Sequence, residues 1–438
     1  MKFDAIINKL DITLNDMQQA AYKAISSDEK DVVVLSPTGS GKTLAYLLPL
    51  VELIDVENDN VQAVVIVPGR ELAAQSAKVL QNMGAGLRSM ACYGGRMAME
   101  EHRKMKDVKP QIVFATPGRL NDHLTKQNIN PHAIKYLVID EFDKCLEMGF
   151  MDEMMDIMGK LPALKRRILL SATDSDVIPG FVHMKNAARI DFQNKEEQVS
   201  DRVRIYSVRS ESKDKLETLG KLLLSFGDAS TIVFLNYRDS VVRTDEYLHS
   251  LGFTTSAYHG GLDQKQREDA LYKFANGSAN ILVSTDLASR GLDIPEVENV
   301  VHYHLPETED NYIHRVGRTA RWDSVGRAFF LLGPDENIPE YVEDNPVIFE
   351  IPSDLPKLCK PKNTTIYVGK GKKDKISKGD IVGFFCKKGG LKANEIGRID
   401  VKERYAYVAV PRIKANELLR RVQGEKIKGV KTIFEEIR

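Results

Sequence analysis

Two successive alternations of short apolar runs with amphipathic segments constrain the fold of this chain more than any other feature. The first spans residues 31–173, and the pattern starts again near residue 205. Parallel strands that are buried on both faces consist almost entirely of apolar residues, and the connections between them are long enough to hold helices. The sequence therefore predicts an α/β fold with two tandem domains, each a parallel sheet covered by helices.

The apolar runs give the predicted elements of both domains. In the first domain we predict strands at residues 32–35, 63–68, 89–94, 111–116, 136–140 and 167–171, with helices such as 70–83 and 97–106 between them. In the second we predict strands at 205–208, 231–235, 254–258, 281–285, 300–305 and 328–332, and helices at 213–225, 239–251, 263–275 and 309–321. The two lists have the same order of elements, as expected for two related domains.

The domain boundaries follow from changes in composition. A polar stretch at 193–201 separates the two α/β domains, and a Pro-containing segment at 333–362 resembles a linker. We assign residues 1–195 to the first domain, 196–340 to the second, 341–361 to the linker and 362–438 to a small α+β domain. In this tail domain we predict strands at 365–371, 403–410 and 429–437 and helices at 379–386 and 415–422. We expect the order βαββαβ, with no bounds assigned to its remaining strand.

Composition excludes several classes of protein. Hydrophobic residues make up 42% of the 438 residues and charged residues 28%, which supports buried cores and excludes a disordered chain. The apolar runs are shorter than the roughly 20 residues that a membrane span needs, and the N-terminal residues do not resemble a signal peptide. The four cysteines are far apart and form no CxxC pair. We expect a reduced, cytoplasmic protein with no membrane partner.

The formal net charge of zero hides a strong asymmetry along the chain. Residues 361–438 contain 20 Lys/Arg and 9 Asp/Glu, whereas the preceding 360 residues contain 42 Lys/Arg and 53 Asp/Glu. A basic module joined to an acidic body indicates a polyanionic partner for the tail. A basic surface that serves only solubility is the alternative.

A glycine-rich segment between a strand and an apolar helix predicts a phosphate-binding loop. Backbone N–H groups of such a loop approach phosphates at the positive end of the helix, the lysine reaches the β- and γ-phosphates, and the hydroxyl after it can hold Mg²⁺. Ser36 replaces the first glycine of the usual pattern. The loop consists of Ser36, Pro37, Thr38, Gly39, Ser40, Gly41, Lys42 and Thr43.

Two further segments carry charges suited to nucleotide chemistry. Asp140 and Glu141 end an apolar strand, where Asp140 would hold Mg²⁺ through water and Glu141 would orient or deprotonate the attacking water. Arg315, Arg318 and Arg321 recur every third residue and predict one stripe on a helix that meets solvent, carboxylates or phosphates. A turn with two carboxylates and a solvated basic stripe are the alternatives.

Together these segments resemble a DEAD-box RNA helicase of superfamily 2 over roughly residues 10–335. The resemblance also rests on PGRELA at 68–73, GG at 94–95, TPGR at 116–119, DEFD at 140–143, SAT at 171–173, QKQR at 264–267 and TDLASRGLD at 285–293. It implies two RecA-like domains, ATP and Mg²⁺ as ligands, and RNA-dependent ATP hydrolysis that pulls a few base pairs apart.

The resemblance also implies residue roles. The adenine would be read by Gln18, with Gln19 as the alternative, and the ribose by Asp293. The 36–43 loop would hold the phosphates, Thr43 and Asp140 the metal. Lys42, Asp140, Glu141, Arg318 and Arg321 would be catalytic, and closure of the domains would be coupled through Asp143, Ser171, Thr173 and His314. RNA phosphates and riboses would contact Pro68, Arg70, Gly95, Thr116, Arg119, Gln264, Arg267 and Thr285. Phe142 and Gly69 depart from the usual DEAD and PTRELA segments.

The tail resembles an RNA recognition motif (RRM) and, in its position after a helicase core, the tail of a bacterial group that binds a hairpin of large-subunit ribosomal RNA. Tyr367, Tyr405 and Tyr407 would stack bases, or would be ordinary strand tyrosines. The lysines are the preferred RNA contacts. They are Lys370, Lys372, Lys373, Lys426 and Lys428.

The resulting hypothesis is a monomeric ATP-dependent RNA helicase that unwinds short duplexes during assembly of the large ribosomal subunit, with structured 23S ribosomal RNA as its partner. A general RNA chaperone without ribosomal specificity and an ATP-gated RNA clamp with low turnover are the alternatives.

Overall fold

The chain divides into two compact units after Gln198, and each is described by itself. The computed structural model describes residues 2–27, 31–37, 39–95, 98–173, 180–184, 187–193, 203–288, 297–319, 326–342 and 346–437. The predicted architecture is confirmed: two parallel-sheet domains of the RecA type are followed by a small antiparallel domain.

The first unit contains a parallel sheet in the order β3-β4-β2-β5-β6-β1-β7. Its central strands are fully buried, because helices cover both faces of the sheet. Its elements are α1 (Lys2–Leu10), α2 (Asp16–Ser26), β1 (Val32–Leu35), α3 (Lys42–Leu53), β2 (Ala63–Ile66), α4 (Arg70–Met83), β3 (Ser89–Cys92), α5 (Ala98–Val108), β4 (Ile112–Ala115), α6 (Pro117–Thr125), β5 (Tyr136–Ile139), α7 (Phe142–Glu147), α8 (Met151–Gly159), β6 (Arg166–Ser171) and β7 (Ala188–Asp191).

The second unit begins with a parallel sheet in the order β10-β11-β9-β12-β13-β8-β14. Phe329, Leu331 and Val233 lie in its core against α9 and α10. Its elements are β8 (Val203–Arg209), α9 (Leu216–Ser225), β9 (Thr231–Phe234), α10 (Arg238–Ser250), β10 (Thr255–Tyr258), α11 (Gln264–Ala275), β11 (Ile281–Ser284), β12 (Asn299–His302), α12 (Glu309–Val316), β13 (Gly326–Leu332) and β14 (Val347–Ile348).

The tail domain, which belongs to the same unit, has the predicted βαββαβ order with a short added hairpin. Its antiparallel sheet has the order β16-β17-β15-β20, and two helices pack against one face through Ile381, Phe385 and Leu418. Its elements are β15 (Asn363–Val368), α13 (Lys378–Lys387), β16 (Ile399–Val401), β17 (Ala406–Pro411), α14 (Arg412–Val422), β18 (Lys426–Ile427), β19 (Val430–Lys431) and β20 (Phe434–Glu436).

The structure differs from the predicted elements in several places. Strand β7 was not predicted, because alternate residues of this strand are exposed and it lacks an apolar run. Helix α12 ends at Val316 rather than at residue 321, since the chain turns at Gly317. The predicted linker is not a simple spacer: β14 pairs with β8, and Phe349, Ile351 and Leu358 pack against the domain core.

Candidate nucleotide and RNA site

The phosphate loop has the backbone that its glycines predict. Gly39 and Gly41 adopt φ values of +89° and +86°, a region that costs other residues free energy. Helix α3 begins at Lys42, directly after Gly41, so its N-terminal N–H groups face the preceding residues of the loop. The Lys42 ammonium donates to the carbonyl oxygens of Ser36 at 2.6 Å and Pro37 at 2.8 Å. Thr38 lies outside the described residues.

Gln18 lies against this loop, whereas Gln19 does not. The Gln18 amide donates to the Gly41 carbonyl at 3.2 Å, and a Cβ on Gly41 would overlap that amide. Gln18 is also held by a capping box at the start of α2, in which it exchanges hydrogen bonds with Asn15. Gln19 instead donates to the exposed carbonyl of Leu14. Of the two candidate glutamines, Gln18 is therefore the one whose amide reaches the phosphate loop.

Asp140 is a buried carboxylate at the carboxyl end of β5. Burial raises its pKa to about 6, and the nearby Lys42 ammonium acts in the opposite direction. Glu141 follows it in the left-handed region at φ +51°, and its N–H donates to Asp140 Oδ1 at 3.0 Å. Burial of the Tyr46 phenol also raises its pKa, and the negative charge of Asp140 raises it further. The two carboxylates therefore lie in different surroundings: Asp140 is buried, and Glu141 is partly exposed.

A chain of hydrogen bonds connects the acidic segment to the phosphate loop. The Thr173 hydroxyl donates to Asp143 Oδ2 at 3.2 Å, and the Ser171 hydroxyl donates to the Thr173 carbonyl at 2.6 Å. The Ser171 carbonyl in turn accepts from the Ser36 N–H at 3.1 Å. Three of the residues predicted to couple nucleotide and domain movement are thus brought together.

The residues predicted to contact RNA in the first unit lie after neighbouring strands. Arg70 follows β2, Gly95 follows β3 and Thr116 follows β4. The Arg70 guanidinium lies directly on Gly95, where a Cβ would overlap it, and Gly95 has a φ of +87°. Pro68 is buried beside this group. These positions therefore share one end of the sheet.

Arg119 is held by a carboxylate that the sequence did not reveal. Its guanidinium lies 3.2 Å from the buried Glu101, which also contacts His123 Nε2 at 3.2 Å and accepts from the Tyr93 N–H at 3.3 Å. Cys92 completes a group of potential metal ligands with Glu101 and His123. Because Arg119 already balances the charge of Glu101, the group fits a role in positioning Arg119. A lone Glu on a helix carries no motif that would have predicted this.

The strand order explains why the residues around the phosphate loop and the predicted RNA contacts lie side by side at the same edge of the sheet. Strands β5, β6 and β1 are neighbours, and their carboxyl ends carry Asp140, Ser171 and the phosphate loop. Strands β3, β4 and β2 are the next neighbours and carry the predicted RNA contacts. In open parallel sheets, ligands bind beyond the carboxyl ends of the strands. The phosphate loop, Asp140 and Ser171 therefore lie next to the predicted RNA contacts at one edge of the sheet.

In the second unit, α11 and β11 carry the remaining predicted RNA contacts. Arg267 is largely buried and donates to the Gly260 carbonyl at 2.8 Å. Gln264, on the first turn of α11, donates to Glu268 at 3.4 Å. Thr285 follows β11, and its N–H donates to the Tyr258 carbonyl at 3.3 Å.

The predicted arginine stripe is wrong in its geometry. Arg315 is fully buried and makes hydrogen bonds to Asp286 at 2.5 and 2.9 Å, to the His304 carbonyl at 2.8 Å and to Asn236 at 2.7 Å, so it supports the fold. Arg318 lies in the turn after α12, at 9% exposure. His314 is buried in α12. Arg321 and Asp293 lie outside the described residues.

The tail exposes four of its predicted lysines, whereas Tyr367 and Tyr405 are only partly exposed. Lys372, Lys373, Lys426 and Lys428 are exposed, and the Lys428 ammonium bridges the Lys375 carbonyl and Asp380. Lys370 is partly exposed and pairs with Asp374 at 3.1 Å. Tyr407 is fully buried, so the interpretation that this ring stacks a base is wrong.

Known proteins resemble this chain along its whole length. Residues 15–178 match the DEAD/DEAH box helicase family, 214–323 the helicase conserved C-terminal domain and 365–436 the DbpA RNA-binding domain. The ATP-dependent RNA helicase DbpA of Escherichia coli is 34% identical over 428 residues, covering 95% of this chain and 93% of that protein. DbpA of Bacillus subtilis is 32% identical over 452 residues, with 94% and 92% covered. The chain belongs to the DbpA group of DEAD-box RNA helicases.

Solved structures support the same assignment for this helicase. Yeast Dbp5 bound to RNA and ADP–BeF₃ is 27% identical, with a TM-score of 0.68 over 76% of this chain and 88% of the other. Mss116p bound to single-stranded RNA and AMP-PNP is 27% identical, with the same TM-score over 76% of this chain and 72% of the other. Its membership of the family makes the chain an ATP-dependent RNA helicase, with RNA-dependent ATP hydrolysis as its reaction. None of the helices in the described part of the chain is long and apolar enough to cross a membrane.

The residues near the phosphate loop fit a magnesium ion. Mg²⁺ prefers oxygen ligands, commonly one carboxylate together with substrate phosphates and water. Asp140 supplies a buried carboxylate whose raised pKa reflects the cost of a desolvated negative charge, and a cation would offset that cost. The Thr43 hydroxyl lies in the first turn of α3.

Proposed function

We propose that this helicase attaches to structured ribosomal RNA of the large subunit through its tail and uses ATP to open short duplexes nearby. The observation that supports the proposal is the sheet edge at which the phosphate loop and Asp140 lie next to Arg70, Gly95 and Thr116. The basic tail with its exposed lysines supplies the second RNA contact. We further propose that the helicase acts as a monomer in the cytoplasm.

For ATP hydrolysis we assign roles to this chain's own groups. The backbone of residues 36–43 and the Lys42 ammonium hold the phosphates, and Gln18 reads the adenine. Glu141 orients and deprotonates the attacking water, since its carboxylate is next to Asp140 but less buried. Arg318 and Arg321 stabilise charge on the γ-phosphate, and Asp293 holds the ribose. Mg²⁺, held by Asp140 and Thr43, supplies charge neutralisation on the phosphates when bound.

Coupling between nucleotide and RNA uses the hydrogen-bond chain of the first unit. A change in the loop at Ser36 reaches Asp143 through Ser171 and Thr173, each link being a hydrogen bond of 3.2 Å or less. A ligand shifts a conformational equilibrium only as far as its affinities for the two states differ. ATP therefore stabilises the conformation in which the contacts to the RNA strand are complete. Hydrolysis of ATP releases the helicase from this conformation.

RNA selection divides between the two regions. The core groups Arg70, Thr116 and Thr285 contact backbone phosphates and 2′-hydroxyls and read no base sequence. Preference for a particular RNA comes from the tail, where exposed lysines flank the loop after β15 and the β18–β19 hairpin.

ATPase stimulation tests the proposal. We expect hairpin fragments of large-subunit ribosomal RNA to stimulate turnover at lower concentrations than scrambled hairpins of equal length. Replacing Lys372 and Lys373 with Gln should remove this preference and lower the slope of log affinity against log salt by about 2, one for each lost phosphate contact. Replacing the exposed Lys387 and Lys388 with Gln is the matched control.

Three outcomes would contradict the proposal. Equal stimulation by all hairpins would indicate a general RNA chaperone. Turnover of Glu141→Gln equal to that of the wild type would exclude catalysis by Glu141. Wild-type turnover that RNA does not accelerate, combined with tight ATP-dependent RNA binding, would indicate a clamp.

A further inference from the structure

The outer face of the tail sheet is occupied by another part of the same chain. We call this the tyrosine face, defined by Tyr367 on β15, Tyr407 on β17 and Tyr405 just before β17, whose ring centroids lie 5.1–6.1 Å apart. In an RRM this is the surface on which bases stack. Here Tyr407 is fully buried, although both tail helices pack on the opposite side of the sheet.

Helix α11 of the second α/β domain covers the tyrosine face. The Tyr272 ring packs on Tyr407 with centroids 4.8 Å apart, and its hydroxyl donates to the Tyr407 carbonyl at 3.0 Å. The Tyr405 hydroxyl donates to Glu268 at 2.9 Å, and the Tyr407 hydroxyl donates to Asp269. Burial and these carboxylates raise the pKa of both phenols, so they remain donors at neutral pH.

A second set of contacts closes the adjoining edge. The fully buried Thr365 accepts from the Asn276 amide at 2.8 Å and donates to Ser278 at 2.9 Å. The Arg412 guanidinium donates to the Ser278 carbonyl at 3.0 Å. Polar groups that are buried and mutually satisfied in this way fix one geometry, because moving them would leave each donor without its acceptor.

We propose that the covered tyrosine face holds the tail as a fixed extension of the second α/β domain, so that an RNA anchored on the tail lysines is presented to the helicase core at one set distance. The second half of this proposal rests on the proposed function. Of the lysines that we assign to RNA, Lys370 is partly exposed and the others are exposed, although Tyr407 is buried by the docking. Docking and RNA anchoring are therefore compatible.

The position of α11 gives the docking a mechanical consequence. Its first turn carries Gln264 and its second Arg267, both assigned to RNA, and Tyr272 lies eight residues beyond Gln264. At 1.5 Å per residue, about 12 Å of continuous helix joins the core RNA contacts to the tail contacts. The segment before the tail is also tied down through Phe349 and Leu358. A flexible tether would instead spread the anchored RNA over many distances.

Distance measurement in the full chain tests the docking without RNA. Spin labels at Glu246→Cys and Lys387→Cys, with Cys359→Ser and Cys386→Ser, should give one narrow distance distribution. Thr365→Arg places a charged side chain in the buried contact and should broaden it, as should Tyr272→Ala from the helix side. Asn416→Arg adds the same charge at an exposed site of the tail and should leave it narrow. A broad wild-type distribution, or narrow ones in both interface variants, would overturn the docking.

Unwinding assays test the consequence. The substrates carry the anchoring hairpin and a target duplex separated by a single-stranded spacer that is lengthened two nucleotides at a time. For the wild type we expect the unwinding rate to have one sharp optimum as the spacer is lengthened. For Thr365→Arg we expect a rate that varies little with spacer length and is about tenfold lower at the wild-type optimum, because the local concentration of the target duplex is lost. Superimposable profiles of rate against spacer length for the wild type and Thr365→Arg would overturn the inference that the distance is fixed. A narrow distance distribution without any hairpin preference would instead reject the proposed function and leave the docking intact.

Discussion

Replacing Asp140 with Asn should stabilise the nucleotide-free helicase at alkaline pH. The carboxylate is buried, and its pKa is raised from 3.8 to about 6. Above pH 6 the folded chain holds an ionised group that burial disfavours, whereas the unfolded chain ionises the same group in water. A raised acid pKa therefore costs stability, and the full cost is present above pH 6. Each pKa unit is 1.36 kcal/mol, so two units correspond to about 3 kcal/mol.

Asn keeps an oxygen that can accept from the Glu141 N–H, so the substitution mainly removes the charge. For a domain of this size about 3 kcal/mol corresponds to a rise in melting temperature of roughly 6–12 °C. Thermal unfolding in EDTA without nucleotide should show this rise at pH 8 and progressively less between pH 6 and pH 4. Asp107→Asn, at an exposed position, is the control. A variant that is no more stable than the wild type at pH 8, or a difference independent of pH, would refute the reasoning.

Three further substitutions separate positioning, loop geometry and folding. Glu101→Gln should weaken the hold on Arg119 and raise the RNA concentration for half-maximal ATPase stimulation about threefold to tenfold, with the saturated rate within twofold; an unchanged RNA requirement would contradict this role. Gly41→Ala should raise the KM for ATP about tenfold, because a Cβ there is strained and overlaps Gln18; an unaltered KM would contradict it. Arg315→Lys should lower the free energy of unfolding by about 3 kcal/mol in denaturant titrations, since Lys cannot reproduce the fork of buried hydrogen bonds. Stability equal to the wild type would argue against that assignment.

The sheets could be predicted from the sequence because strands that are buried on both faces appear as uninterrupted runs of apolar residues. Val32–Leu35 is buried at every position, and its predicted bounds match the structure. The half-exposed β7 has no such apolar run. The end of α12 is not marked by a change in the pattern either, although the chain turns at Gly317. Local pattern therefore predicts buried strands well and element ends poorly.

Contacts between distant segments were harder to predict for a different reason. Period-two alternation places Tyr405 and Tyr407 on one face of the tail sheet, and this could be predicted. The alternation does not predict what covers that face. The covering residues Glu268 and Tyr272 are more than 130 positions away and belong to a helix with its own pattern. The same holds for the pairing of Glu101 with Arg119.

The Phe142 departure from the usual DEAD segment is resolved by burial. Its side chain is 2% exposed and packs in the core beneath the sheet edge, beside Cys145, while Glu141 and Asp143 keep the site positions. Phe142→Ala should therefore remove packing and leave the charges unchanged. We expect a loss of about 3–5 kcal/mol in the free energy of unfolding, as for other buried Phe→Ala changes, with kcat per folded molecule at low temperature within threefold. Denaturant titration and active-site-normalised ATPase assays measure the two quantities. A large fall in kcat without loss of stability would place Phe142 in the catalytic machinery instead.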